Sequence, residues 1–187
     1  MSTHDLLARL SAALGEAGIP YMFTGSFASS FHGTPRASND FDLVIAPTPE
    51  QLRVLKDTLP QADYYFDVED ALHELKRRGH FNIIDLASGW KVDFIIRKQR
   101  EFSVSEFDRR FPIEFDGLSI FMASAEDVVL AKLEWAKKSS SERQIEDVAG
   151  ILRIQANELD RTYMERWIEE LQIEPQWRQA LKVAGLS

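Results

Sequence analysis

The sequence contains no cysteine among its 187 residues. Disulfides, thiolate metal sites and thiol catalysis are therefore excluded. Because oxidising compartments favour disulfide-bonded proteins, the absence also favours a cytoplasmic location. Long hydrophobic runs are lacking as well, since none approaches the roughly 18 residues that a membrane span needs. We therefore expect no membrane partner.

Positive charge is scarce too, because 22 lysine and arginine residues face 30 aspartate and glutamate residues and leave a net charge of −8. A broad electrostatic surface for nucleic acid relies on lysine and arginine side chains that neutralise phosphates. The composition argues against such a surface, although it is compatible with a small basic patch. The length fits one medium domain, or one domain with a small appendage.

The sequence pattern changes near Ala123, where we predict a domain boundary. Before this point short strands and helices alternate, with hairpins predicted around residues 87–89 and around Asp116-Gly117. After it, nearly all residues to Gly185 follow a helical period. The sequence predicts an α+β protein with a mixed domain over residues 1–123 and a helical C-terminal region over residues 124–187.

A glycine-serine turn, Gly25-Ser26, follows the first predicted strand. Glycine lets the backbone approach a phosphate closely because no side chain intervenes. Ser26 adds a hydroxyl donor beside the N–H groups that open the next helix, and helix N-termini favour phosphate. We therefore interpret the turn as a phosphate-binding site.

Three aspartates lie on two predicted strands. Asp40 and Asp42 are two residues apart on one strand, so their carboxylates point to the same face. Two charges about 4 Å apart repel by roughly 4 kcal/mol at an effective dielectric constant of 20, which a cation would offset. Asp93 interrupts a later apolar strand and would join them if the strands are neighbours. Each acid taken alone is better explained as a polar residue on a solvent-facing strand, and only the full set points to a metal site.

Three converging carboxylates suit a two-metal site. One ion would activate an attacking hydroxyl, and the other would hold a triphosphate and the leaving pyrophosphate. Mg²⁺ is the natural ion because it prefers a few carboxylates together with substrate phosphates.

The order of these residues resembles the nucleotidyltransferase superfamily related to DNA polymerase β. Gly25-Ser26, the acid pair Asp40-Phe41-Asp42 and the later Asp93 follow its pattern. The resemblance implies a mixed β-sheet flanked by helices, a nucleoside triphosphate (NTP) substrate and Mg²⁺ or Mn²⁺ as cofactor. It also implies that Asp40 and Asp42 bind both metals, and that Asp93 completes one metal site or acts as the base.

Two further segments resemble the AbiEii-type bacterial toxins and their relatives. The segment from Arg36 to Asp42 is similar to their Arg-x-Ser/Thr-x-Asp-x-Asp loop, and the C-terminal region is similar to their lysine helix and arginine–aspartate helix. The resemblance implies that Arg36, Lys132 and Arg143 bind the nucleotide and that Asp147 supports the site. It further implies that the helical region contributes to the active-site cleft, and it makes a cognate antitoxin a candidate partner.

The predicted reaction is transfer of a nucleoside monophosphate from an NTP to a hydroxyl, on the 3′ end of tRNA or on a protein. One alternative is a non-catalytic binding module of the same fold, which would be expected to have a damaged acid triad. Another is a small-molecule nucleotidyltransferase of the antibiotic-modifying kind. Two residues are held in reserve: Asp85, whose hairpin position allows either face, and His32, which lies near the phosphate turn.

Overall fold

The computed structural model describes residues 3–38 and 40–186, so Asn39 of the predicted loop lies outside the described part. Within these ranges the strands are β1 (Tyr21–Thr24), β2 (Asp40–Ile45), β3 (Tyr64–Tyr65), β4 (His80–Asp85), β5 (Lys91–Ile96), β6 (Phe111–Phe115) and β7 (Leu118–Met122). The helices are α1 (Thr3–Glu16), α2 (Gly25–His32), α3 (Pro49–Thr58), α4 (Val68–Arg77), α5 (Glu101–Asp108), α6 (Ala125–Ser139), α7 (Glu142–Gln155), α8 (Arg161–Glu170) and α9 (Glu174–Ala184).

The strands form one mixed sheet with the order β3-β4-β5-β2-β1-β7-β6. β2 runs parallel to β5 and β1 parallel to β7. The pairs β3–β4, β4–β5 and β6–β7 are antiparallel. The predicted α+β class, with a mixed sheet, flanking helices and a helical C-terminal region, is confirmed.

The chain divides into two compact units. The first consists of residues 1–23 and 39–122, and the second of residues 24–38 and 123–187. The predicted division at residue 123 placed residues 24–38 in the first domain, whereas their contacts place them in the second unit. The reason is that α2 follows β1 along the chain but packs against α6 and α7.

The first unit contains the sheet together with α1, α3, α4 and α5. Alternation along β2 and β5 buries Phe41, Leu43 and Phe94 in its core. A capping box begins α3: the Thr48 side chain accepts from the backbone N–H of Gln51, and the Gln51 side chain accepts from the N–H of Thr48. Both predicted hairpins are present, whereas β3 and α5 were not predicted.

The second unit is helical and consists of α2 and α6–α9. α7 packs against α2, α6 and α9, and its residues Val148, Ala149 and Ile151 are fully buried. Ser124 caps α6, because its side chain accepts from the backbone N–H of Asp127. Across the described residues, no helix combines the length and apolar character needed to cross a membrane.

Candidate active site

The three aspartates lie on one face of the sheet, on neighbouring strands. In the parallel register Asp42 lies directly opposite Asp93, and Asp40 lies opposite Lys91. All four side chains are half-buried, whereas the intervening residues of both strands, such as Phe41, point to the buried side. Since neighbouring strands are about 4.8 Å apart, the pairing brings the predicted carboxylates together.

Lys91 belongs to this cluster, and sequence reasoning missed it. Its Nζ lies 2.7 Å from Oδ2 of Asp93. The hydrogen bond to Asp93 raises the pKa of Lys91; burial opposes this, and the charges of Asp93, Asp40 and Asp42 reinforce it. The signal was available in the sequence, because a residue two positions before Asp93 on a strand shares its face.

The described residues contain no group of three histidine, aspartate or glutamate side chains arranged to hold a metal ion. The Asp93 carboxylate is instead bound to the Lys91 ammonium. The donor chemistry nevertheless fits a hard divalent cation, since Asp40, Asp42 and Asp93 offer carboxylate oxygens from one sheet face.

Asp85, held in reserve from the sequence, points to the opposite, buried face of the sheet. Its side chain is fully buried and accepts from Nη2 of Arg9 at 3.2 Å. The hydroxyl and backbone N–H of Ser88 also donate to it. Asp85 therefore stabilises the hairpin and α1 and is not part of the acid cluster.

The phosphate turn opens α2 in the second unit. Gly25 has a φ of 59°, in the left-handed region that glycine adopts without strain. The helix begins at Gly25 itself. The Ser26 Oγ accepts from Nη2 of Arg36 at 2.5 Å. Because this bond uses an oxygen lone pair, the Ser26 hydroxyl keeps its own proton for another acceptor.

Arg36, Lys132 and Asp147 form a buried charge network in the same unit. Arg36 holds Asp147 with two bonds, Nε to Oδ1 at 2.8 Å and Nη2 to Oδ2 at 3.1 Å. The Lys132 Nζ donates to Oδ2 of Asp147 at 2.7 Å and to Oε1 of Gln144 at 3.1 Å. The Lys132 and Asp147 side chains are only 6% and 7% exposed. With Ser26, which is bonded to Arg36, the structure brings four predicted residues together, and it adds Gln144, which was not predicted.

Asp147 is negatively charged in this network. Burial favours a higher pKa, but the hydrogen bonds from Arg36 and Lys132 and their charges outweigh burial and lower the pKa below its usual 3.8. A carboxylate between two cations orients them and does not itself attract phosphate. Arg143, the remaining predicted nucleotide contact, is exposed one turn before Asp147 on α7.

His32 lies at the end of α2 and is buried. Its Nε2 lies 2.8 Å from the carbonyl oxygen of Ala123, immediately before α6. Burial lowers the pKa of His32 below 6.5, against the opposing effects of this hydrogen bond and of Glu126. The Gln155 side chain donates to the His32 carbonyl at 2.6 Å. These bonds tie α2 to α6 and α7, which is a structural role.

Solved structures of nucleotidyltransferases share this fold. The solution structure of the antibiotic-resistance factor ANT(2'')-Ia is 13% identical, with a TM-score of 0.53 and coverage of 96% of this chain and 95% of that one. The crystal structure of the same factor with adenylyl-2''-tobramycin gives 14% identity and a TM-score of 0.53, with coverage of 90% and 95%.

A nucleotidyltransferase-like antigenic protein from Paracoccidioides brasiliensis is 15% identical, with a TM-score of 0.51 and coverage of 96% and 91%. No protein-family model matches the sequence. No curated protein matches it either. At these identities the likeness concerns the fold, and the chain has a nucleotidyltransferase fold.

Proposed function

We propose that this nucleotidyltransferase fold supports catalysis: transfer of a nucleoside monophosphate from an NTP to a hydroxyl acceptor, with Mg²⁺ or Mn²⁺. The observation that carries the proposal is the register of β2 and β5, which sets Asp42 beside Asp93 with Asp40 on the same face. A row of three carboxylates is costly without a cation. A divalent metal supplies the positive charge that both the carboxylates and the triphosphate need.

In the proposed reaction the acceptor hydroxyl attacks the α-phosphorus of the NTP. The new phosphorus–oxygen bond replaces the bond to the β-phosphate oxygen, and pyrophosphate leaves with that bond's electron pair. Asp40 and Asp42 would hold the divalent cation, whose chemistry is to neutralise the phosphate oxygens and lower the pKa of the attacking hydroxyl. Asp93 would complete the metal site or take the hydroxyl proton on its carboxylate.

We also propose, from the resemblance, that residues of the second unit bind phosphate. Gly25 exposes the backbone at the start of α2, and Ser26 has a hydroxyl proton to donate. Arg36 and Lys132 are the cations of the buried network, and Arg143 is an exposed cation on α7. Asp147 would hold Arg36 and Lys132 in place for the nucleotide.

The test is transfer of label from α-³²P-labelled ATP, GTP, CTP and UTP to total RNA, to proteins and to small hydroxyl compounds, with Mg²⁺ and with Mn²⁺. We expect labelled product with the unaltered protein and a loss of about 10²-fold or more in Asp42→Asn, because Asp42 would hold the cation that neutralises the reacting phosphate. Asp57→Asn on α3 makes the same change of charge at an exposed position and should keep full activity.

Equal labelling by Asp42→Asn and the unaltered protein would contradict the proposal, as would the absence of transfer under every condition. Thermal unfolding then distinguishes an enzyme that binds NTP from a non-catalytic binding module. A ligand that binds the folded state raises the unfolding temperature, so millimolar NTP with Mg²⁺ should stabilise the protein. No shift would favour the module.

There are two candidates for the acceptor in the proposed reaction. Transfer to the 3′ end of tRNA or to a protein, as a toxin restrained by a cognate antitoxin, rests on the resemblance of the Arg36 loop and of the Lys132 and Asp147 helices. A cationic small molecule is the second candidate, favoured by the net charge of −8, because an acidic protein attracts cations and repels polyanions.

A further inference from the structure

Lys91 is the one basic residue within the short strand that also carries Asp93. On β5 the two side chains share a face, and their charged atoms are 2.7 Å apart. The parallel register adds Asp40 opposite Lys91 and Asp42 opposite Asp93. One ammonium group therefore lies among three carboxylates.

The environment of Lys91 favours its charged form. The hydrogen bond to Asp93 is the largest cause of its raised pKa, and all three aspartates contribute through their charges. The Lys91 side chain is 45% exposed, whereas that of Asp93 is 18% exposed. The ammonium thus lies on the solvent side of the pair, where a long flexible side chain can move away without opening the core.

We propose that Lys91 is a tethered counter-ion that binds the Asp93 carboxylate until a divalent cation displaces it. The inference rests on the proposed function, since it takes the three aspartates as the metal ligands. The exchange replaces one cation with another: the Lys91–Asp93 ion pair breaks, the oxygens of Asp93 become available to the metal, and Lys91 leaves as an ammonium ion. No proton is transferred.

Two consequences follow from this competition. Lys91 offsets the repulsion among Asp40, Asp42 and Asp93 while no metal is bound, so it stabilises the metal-free protein. It also weakens metal binding, because the metal must break an existing ion pair. Removing the ammonium should therefore lower the stability of the metal-free protein and increase its affinity for metal.

The experiment is calorimetric titration of MnCl₂ into the full chain and into Lys91→Met, without nucleotide. Methionine keeps the unbranched chain and removes the charge. A partly exposed ion pair is worth about 0.2–1 kcal/mol, so we expect Lys91→Met to bind Mn²⁺ about 1.4- to fivefold more tightly. Lys98→Met, two residues beyond β5 and exposed, makes the same change of net charge and should bind as the unaltered protein does.

Thermal unfolding gives a second readout. The metal-free Lys91→Met protein should unfold at a lower temperature than the unaltered protein, and added MnCl₂ should raise its unfolding temperature by more. Lys91→Arg should behave like the unaltered protein, because arginine can keep the ion pair with Asp93.

Equal Mn²⁺ affinity in Lys91→Met, Lys98→Met and the unaltered protein would overturn the proposal that Lys91 is a counter-ion. It would leave the proposed metal site in place. Weaker binding by Lys91→Met would also overturn it, since Lys91 would then support the bound metal. If no protein binds Mn²⁺, the metal site of the proposed function fails together with the counter-ion. The titration thus distinguishes failure of this inference from failure of the function on which it rests.

Discussion

At the scale of single residues, the structure shows which of the predicted charged side chains pair with one another. Asp147 was predicted at a nucleotide-binding site, and it lies between Arg36 and Lys132, with two bonds to the first and one to the second. Lys132 is almost completely buried. A buried ammonium without its carboxylate is costly, so the first consequence of altering Asp147 concerns stability.

We expect Asp147→Asn to lower the free energy of unfolding by about 2 kcal/mol at pH 7, because Lys132 loses its charged partner. The folded-state pKa of Asp147 is lowered below 3.8. Its contribution is therefore fully present above pH 3.8 and lost as the pH falls through the lower folded value. Urea unfolding from pH 7 to pH 3 should show the two proteins converging only below pH 3.8.

Glu146→Gln is the matched control. Glu146 is the exposed neighbour of Asp147 on α7, and surface substitutions usually change stability by no more than about 0.5 kcal/mol. A loss in Glu146→Gln as large as that in Asp147→Asn would show that net charge, and not the Arg36–Asp147–Lys132 network, is responsible.

At the scale of elements, α2 depends on a close approach of its C-terminal end to α7. A methyl group added to Gly33 would lie 2.7 Å from the backbone nitrogen of Ile151 and 2.8 Å from the carbonyl carbon of Gly150. Backbone atoms cannot move aside as a flexible side chain can. The φ of Gly33 is −135°, which any residue adopts, so the close packing alone requires glycine here.

Gly33→Ala should therefore lower the free energy of unfolding by about 1–3 kcal/mol, the usual cost of overpacking. Gly15→Ala in α1 is the matched control, because an added methyl group meets no atom within 4 Å there. Alanine is the better helix former by roughly 0.5–1 kcal/mol, so that variant should gain stability. Urea unfolding measures both, and an unchanged Gly33→Ala protein would disprove the close approach.

At the scale of the whole molecule, net charge bears on the choice of acceptor. The 30 acidic residues outnumber the 22 basic ones. Non-specific affinity for nucleic acid comes from lysine and arginine that release counter-ions from phosphates. The negative charge of the protein therefore affects two candidate acceptors in opposite ways. It disfavours the approach of a polyanionic RNA and favours that of a cationic small molecule.

We expect binding of fluorescently labelled total tRNA to be no stronger than a Kd of about 10⁻⁴ M at 150 mM salt, which is the weak end of non-specific binding. Fluorescence anisotropy over a series of salt concentrations provides the measurement. Submicromolar binding that weakens steeply as salt increases would contradict this expectation. That outcome would favour tRNA over the cationic small molecule.

Patterns within a few residues were enough to predict the local structure. Alternation placed Asp40 and Asp42 on one face of a strand, and Asp116-Gly117 formed the hairpin turn with φ angles of 50° and 81°. The same reasoning missed β3, which has two residues. A strand of this length carries no period that a sequence can show.

What the sequence determined by itself was the identity and local orientation of the candidate acids, because the two-residue period of a strand fixes its faces. The tertiary structure decided which strands are neighbours, that Asp85 faces the core, that Lys91 binds Asp93, and that residues 24–38 pack with the C-terminal helices. Each of these depends on which elements pack together or which rotamer a side chain adopts. Neither follows from local periodicity, because the contacts that decide them are made only once the chain has folded.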